Sequence, residues 1–318
     1  MTYILGCDTS CDDTSIGIIK TTGDAKYEIL SNIRYSQLTK YGGVVPEVAA
    51  REHLDQVSNV LKKAIEIANI TLEEIDYFSV TVGPGLIGSL LIGSTFIKTL
   101  AILYNKPFVA IHHLEGHIAS ASLIEDCTVV VISGGHSLIA SKSPNNIKIL
   151  CNTLDDAAGE VFDKIGKILA LPFPSGKYIE NLALKADKVI APLSIMPGKL
   201  NFSFSGLKTK CKQLLETEKP ENVAYFLQNT VTKHLIDKLK LISSTETVIV
   251  CGGVSENKYI RTEISKHFNC IFPPIELCSD NGVMIAIAAM IRIKNNQKIN
   301  VYFDEFSYLS IEKWFSTL

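Results

Sequence analysis

An α/β fold of two lobes is predicted by three features of this sequence. Short apolar runs alternate with segments of helical length and period, the pattern of a sheet with helices packed on it. A strand, a polar Gly/Ser/Thr/Asp turn and a second strand occur once in each half of the chain. The 318 residues, 47% of them hydrophobic, suffice for two lobes with a cleft between them, and a mean hydropathy of +0.21 excludes disorder. The formal net charge of -2 and pI near 6.4 advertise no strongly basic face. A nucleic-acid substrate would therefore meet a local patch or be held by a partner.

Tyr3 to Cys7 reads as a strand, Ile16 to Ile19 as its hairpin partner, and the turn between them carries Asp8, Asp12 and Asp13. Three acids on one turn repel unless a cation joins them, so this turn is read as functional rather than as an ordinary solvated hairpin. Tyr27 to Tyr35 is a third strand. Tyr41-Gly42-Gly43-Val44-Val45-Pro46 leads into a helix over 46–69, with Pro46 in its first turn and Glu47, Arg51 and His53 near its start. Asp76 to Val82 is the next strand. Gly83-Pro84-Gly85-Leu86-Ile87-Gly88 then matches the dinucleotide fingerprint, but no acid occurs between Asp76 and Glu115 to hold a ribose. These glycines are read instead as permitting close backbone approach. They also break the apolar stretch from Phe78 to Ile97, so no membrane span is expected.

After the apolar run Phe108 to Ile111 comes His112-His113-Leu114-Glu115-Gly116-His117, with a helix expected over 113–124. His113 and His117, four apart, point their imidazoles to one place, a metal-ligand spacing. A zinc-protease reading fails because Glu115 lies roughly 200° round the helix from His113. Two histidines leave the coordination shell short. Asp280, at a loop-to-helix junction before an apolar helix from Val283 to Ile293, is the candidate third ligand.

In the second half, Thr128 to Ile132, the turn Ser133-Gly134-Gly135-His136-Ser137 and Leu138 to Ala140 repeat the opening hairpin, as a two-sided phosphate clamp requires. A helix opens at Asp155 with acids in its first turns, and Pro172 to Lys177 precedes another with Glu180 in its first turn. Phe202 to Lys208 reads as a substrate or RNA contact, or else as a plain surface loop. Glu221 to Leu241 is an amphipathic helix, Thr247 to Cys251 a buried strand, and Gly252-Gly253-Val254-Ser255 a turn against which a flat base can slide. Eight cysteines without a C-x-x-C pair look like core thiols of a reducing compartment, and the start lacks the regions of a signal peptide. A cytoplasmic chain is expected.

Taken in order, Ile4 to Thr14, Tyr41 to Glu47, Gly83 to Leu86, His112 to His117, Ser133 to His136, Phe202 to Thr209, Gly252 to Ser255 and Asp280 to Gly282 resemble the universal tRNA threonylcarbamoyltransferase family, of bacterial TsaD type. The resemblance implies the actin-like, Hsp70-like and sugar-kinase-like α/β fold with a duplicated phosphate-hairpin core. It implies an N-terminal lobe of 1–110 plus 282–318, a second lobe of 111–281, and nucleotide and metal in the cleft between. His113, His117 and Asp280 match the family's ligands for one iron or zinc per subunit, and Asp12 and Asp13 its essential acidic pair. Val131, Ile132, Ser133, Gly134 and Gly135 match its phosphate-side loop, and Asp163, Gly176, Glu180 and Asn257 its nucleotide contacts.

The implied reaction moves threonylcarbamoyl from threonylcarbamoyl-AMP to the exocyclic amine of the adenosine 3′ of the anticodon in tRNAs reading codons that begin with A. An inactive paralogue docking on the N-terminal lobe and a small P-loop ATPase are the implied partners, with no membrane. This chain departs from the family pattern with Asp8 and Asp13 in place of the usual glutamates, with Ser175-Gly176-Lys177, and with a short segment over 186–200. The rival classes are a small-molecule kinase of the same fold, which has no use for the histidine pair, and a non-catalytic nucleotide-binding partner, which would lack the metal triad.

Overall fold

The computed structural model describes residues 1–23, 26–37, 43–144, 146–242, 247–297 and 304–317. Tyr41 and Gly42, part of one motif above, lie outside them. The chain divides into two units, Met1–Leu123 with Asp280–Leu318, and Ile124–Ser279. The lobe boundaries expected at 110/111 and 281/282 thus fall at 123/124 and 279/280. The histidine helix and the residue that opens the returning segment both stay with the first unit, because their helices pack on each other there.

Unit 1 begins with β1 (Tyr3–Asp8), β2 (Asp13–Gly23) and β3 (Lys26–Ser36), an antiparallel meander. α1 (Pro46–Ala68) follows, then β4 (Tyr77–Gly83), α2 (Ile87–Leu103), β5 (Phe108–His112) and α3 (His113–Ala121). β4 runs parallel to β1 and β5 parallel to β4, giving the order β3-β2-β1-β4-β5. β1 is covered on both faces, which is why Ile4, Leu5 and Cys7 form a continuous apolar run rather than an alternating one. In α1 the buried positions 49, 53, 57, 60, 61, 64 and 68 keep helical spacing and give the helix one inward stripe. α3 stops at Ala121, three residues short of the expected end, where Ser122 turns extended.

Unit 2 repeats the plan. β6 (Cys127–Ile132), β7 (Ser137–Ser143) and β8 (Asn146–Asn152) form the meander, and after α4 (Ala158–Ile168), α5 (Gly176–Ala183), α6 (Ser205–Leu214) and α7 (Pro220–Ile242) come β9 (Thr247–Cys251), α8 (Lys258–Ser265) and β10 (Asn269–Ile271). Its order β10-β9-β6-β7-β8 mirrors the first sheet, with β9 parallel to β6 and β10 parallel to β9. The hairpin repeat read in the sequence is therefore the start of a whole repeated half: three antiparallel strands, then two parallel ones.

Three local expectations change. α4 begins at Ala158 and leaves Asp155 in the loop before it. There the Asp155 carboxylate accepts from the backbone N–H of Phe204 at 2.7 Å and from the hydroxyls of Ser203 and Ser205. Phe202 and Phe204 are fully buried in the unit 2 core, and Ser205 starts a helix, so this stretch is neither a surface loop nor an aromatic face for RNA. Glu180, the fifth residue of α5, falls after its first turn.

The chain returns to unit 1 with α9 (Gly282–Lys294) and α10 (Ile311–Ser316). α9 lies against β1, β2 and α3, buried on nearly all sides through Met290. Glycine permits this approach: a Cβ on Gly6 would fall 2.2 Å from the Gly282 carbonyl oxygen, and one on Gly282 would fall 2.1 Å from the Gly17 nitrogen. The start of α9, and Asp280 two residues before it, is thereby pressed onto the opening hairpin.

Candidate functional site

α3 presents His113 and His117 from successive turns of one face, and both are buried. Asp280 reaches them from the segment before α9, where the Asn281 side chain caps the helix by accepting from the Met284 N–H at 2.8 Å. Its Oδ1 lies 3.2 Å from His117 Nε2 and 3.6 Å from His113 Nε2, and one ligand atom from each of the three residues lies within 4.8 Å of the others. Tetrahedral ligands with bonds near 2.0–2.1 Å stand roughly 3.3 Å apart. Both ring nitrogens of His117 are buried and make no hydrogen bond among the described residues, Nε2 having only the Asp280 carboxylate beside it, an arrangement that is costly in a protein interior unless a cation takes the lone pair. The donor set and its spacing fit a transition metal.

Asp8 completes the arrangement. Its Oδ1 accepts from the Ser10 N–H at 3.0 Å and the Ser10 hydroxyl at 2.7 Å, and its Oδ2 takes the Thr81 hydroxyl and stands 3.1 Å from His113 Nδ1. A carboxylate ringed by donors fixes the proton on Nδ1 and leaves Nε2 for a metal. Burial alone would raise Asp8 and lower His113. Without a metal each reverses the other, so that Asp8 sits below its usual range and His113, with Asp280 as the stronger contributor, is held up at about 9, and a metal on Nε2 would displace that second proton. In the sequence Asp8 stands out as one of three acids on the opening turn and as a substitution for glutamate, but not as the partner of His113. Its contact with a residue more than a hundred positions on is tertiary and leaves no local period.

Glu115, on the far side of α3 as helical spacing requires, pairs with Arg292 of α9, its Oε1 accepting from Arg292 Nε at 2.7 Å. It also accepts from Trp314 Nε1 at 2.9 Å. The helix that carries the histidines is thus tied to the helix that follows Asp280.

Asp12 and Asp13 lie half-buried at the β1–β2 turn. Burial raises both carboxyls and the charge of Asp280 raises them further, Asp13 to about 7 despite Ser36 and Arg34. The turn is fastened by the glycine-rich segment that resembled a dinucleotide motif. Leu86 N–H donates to the Ser10 carbonyl at 2.8 Å, and a Cβ on Gly85 would fall 2.4 Å from that oxygen. What occupies the glycine turn is the protein's own acidic hairpin.

Within unit 2, Gly134, Asp163, Gly176, Glu180 and Asn257 all line one pocket of about 240 Å³, with Phe162, Lys177 and Gly253 among its other walls. Asp163 accepts from the Ser175 N–H at 2.7 Å, Glu180 from the Lys258 N–H at 2.6 Å, and Asn257 caps α8 by accepting from the Ile260 N–H at 2.9 Å. These polar groups therefore also set the positions of the loops around the pocket. Ser133 closes the preceding turn, its carbonyl accepting from Gly159 N–H and its hydroxyl from His136 N–H. Gly135 is exposed, and Val131 and Ile132 are strand residues whose side chains are fully buried. The pocket offers an apolar wall, glycine backbone and carboxylates, a combination suited to a nucleoside.

The sequence matches the family model TsaD, described as tRNA N6-adenosine threonylcarbamoyltransferase, over residues 28–287. A protein of that name from Bacillus subtilis (strain 168) is 38% identical over 91% of this chain and 90% of its own. One from Thermosipho melanesiensis is 42% identical over 94% of this chain and 97% of its own. Among solved structures, component A of the Acidaminococcus fermentans (R)-2-hydroxyglutaryl-CoA dehydratase is similar with a TM-score of 0.59 at 16% identity, covering 92% of this chain and 97% of that one. HypF of T. kodakarensis is similar with a TM-score of 0.64 at 13% identity, covering 94% of this chain and 49% of that one. At such identities the likeness is one of fold, the actin-like α/β fold with a repeated core.

Proposed function

The chain belongs to the tRNA N6-adenosine threonylcarbamoyltransferase family, and from that premise we propose that it transfers threonylcarbamoyl from threonylcarbamoyl-AMP to N6 of the adenosine 3′ of the anticodon in tRNAs reading codons that begin with A. The observation that carries the reading is the His113–His117–Asp280 cluster, which a nucleotide-binding partner without activity has no reason to keep. These residues would hold one iron(II) or zinc ion per chain. When bound, the ion supplies a Lewis acid for the carbonyl that is attacked.

The chain's own groups do the rest. The pocket lined by Gly134, Asp163, Gly176, Glu180 and Asn257 holds the adenosine of the adenylate, and Ser133 and Gly135 serve its phosphate side, with Val131 and Ile132 supporting that loop. Attack forms the N6–C bond, breaks the carbonyl C–O bond to phosphate and releases AMP, while N6 loses a proton. Asp12, raised by burial, is the group that orients the amine and accepts that proton, and Asp13 shares the turn's charge.

With a formal net charge of -2, the chain relies on partners to secure tRNA. An inactive paralogue docks on the N-terminal unit, where α1 and α2 expose Leu54, Ile67, Ile102 and Leu103, and a small P-loop ATPase completes the set. No described helix is long and apolar enough to cross a membrane, and the work is done in the cytoplasm.

The test is threonylcarbamoyladenosine formed on unmodified tRNA from supplied adenylate, with partners present, beside metal analysis of untagged protein. About one metal per chain is expected, lost in a His117→Ala, Asp280→Ala double variant. Asp12→Asn should keep its metal and lose on the order of 10² to 10⁴ in rate. Full occupancy in the double variant, or no product from the complete wild-type system, would refute the reading.

A further inference from the structure

The inward stripe of α1 is apolar except at one position, where it places His53, fully buried. Both ring nitrogens have partners. Nε2 lies 2.9 Å from the Cys11 carbonyl oxygen and Nδ1 lies 2.7 Å from Thr14 Oγ1. A carbonyl only accepts, so Nε2 carries the proton and Nδ1 accepts from the Thr14 hydroxyl. Burial lowers the imidazole below its usual value, against the pull of the Cys11 carbonyl, Asp8 and Asp12, which agrees with this neutral tautomer.

The two partners bracket the acid pair: Cys11 precedes Asp12 and Thr14 follows Asp13. The Cys11 carbonyl also accepts from Ser89 Oγ at 3.2 Å. A leucine would fill the same stripe without burying two polar nitrogens, so what the histidine adds is the pair of directed bonds. We propose that His53 is a positioning residue that clamps the Asp12–Asp13 segment at both ends and so fixes where the Asp12 carboxylate meets the attacking amine. The proposal rests on the reading of Asp12 given above.

The experiment compares His53→Leu, His53→Gln, Thr14→Val and the His53→Leu, Thr14→Val double variant in the transfer assay, with tRNA titrated and metal content measured. His53→Leu should lower kcat about ten- to a hundredfold, the scale of loss from a small misplacement of a reacting group. KM for tRNA and metal content should stay unchanged. Gln, with one amide donor and one acceptor, should restore most of the rate. Thr14→Val should reproduce the loss, and the double variant should lose no more than either single, since both break one clamp. Loss of packing alone would lower Tm without separating kcat from KM and without rescue by Gln. A kcat within twofold of wild type for His53→Leu or Thr14→Val, beside an inactive Asp12→Asn, would overturn the proposal alone, as would additive losses in the double variant. A wild-type rate in Asp12→Asn would instead remove the reading of Asp12, and this proposal with it.

Discussion

Asp13 shows how one side chain records the charge around it. Its carboxyl is raised to about 7 because burial disfavours the ionised form and Asp280 and Asp12 repel it, outweighing the Ser36 hydrogen bond and Arg34 at 3.7 Å. In the unfolded chain the same group releases its proton near 3.8. Between these values the folded state holds a proton that the unfolded state has lost, so stability falls as pH rises through that window, and the penalty is complete above it. Asp13→Asn should therefore raise the Tm of metal-free protein at pH 8 and have almost no effect at pH 3, below both pKa values. Equal shifts at both pH values in thermal unfolding would contradict the assignment. At this scale the sequence was legible where chemistry depends on spacing: His113 and His117 share a helix face, and Asp280 was the acid at a helix junction. It was silent on the contact between Asp8 and His113 and on the partners of His53, because those contacts join residues from distant strands and helices.

At the scale of elements, the strands and helices with clear periods were legible, including the repeated hairpin, α1 and α7. Phe202 and Phe204 misled because aromatic residues among serines and lysines look the same in an exposed loop as in a segment pinned inward by Asp155. Glu115 was legible only in the direction it avoids; its partners Arg292 and Trp314 come from two later helices. Arg292 is almost fully buried, its Nη1 donates to the Ala110 carbonyl at 3.1 Å, and its guanidinium lies 4.7 Å from the Trp314 ring. Glu115→Ala would strand that cation in the interior, and losing one partner of a buried pair costs about 3–5 kcal/mol. Urea unfolding should report a loss of this order. A change below about 0.5 kcal/mol, the size typical of surface substitutions, would mean that the pair does not hold α3 and α9 together.

At the scale of the molecule, the two units carry different chemistry on the same plan. The proposed metal ligands and the acid pair belong to unit 1, and the pocket lining belongs to unit 2. The sequence showed the repeat, while its expected first boundary at 110/111 lies before the unit boundary at 123/124 and its second at 281/282 lies after 279/280, since nothing local distinguishes the end of β5 from the end of a unit. A ligand that binds only the folded form stabilises by RT ln(1 + [L]/Kd), roughly 2.7 kcal/mol at a hundredfold excess over Kd. Hydrogen exchange should reveal where. Metal is expected to slow exchange in α3 and at the start of α9, and AMP to slow it in α4, α5 and α8; protection by AMP confined to α3 and α9 would contradict the division. The same division sets an order of events during synthesis. Unit 1 is interrupted in the chain by the whole of unit 2, and Asp280 is the first residue after the interruption. On the ribosome the two histidines emerge long before Asp280, the proposed third ligand, so a nascent chain cannot complete the His113–His117–Asp280 cluster until translation has passed through all of unit 2, and loading of the proposed metal would be a late checkpoint on a nearly finished polypeptide.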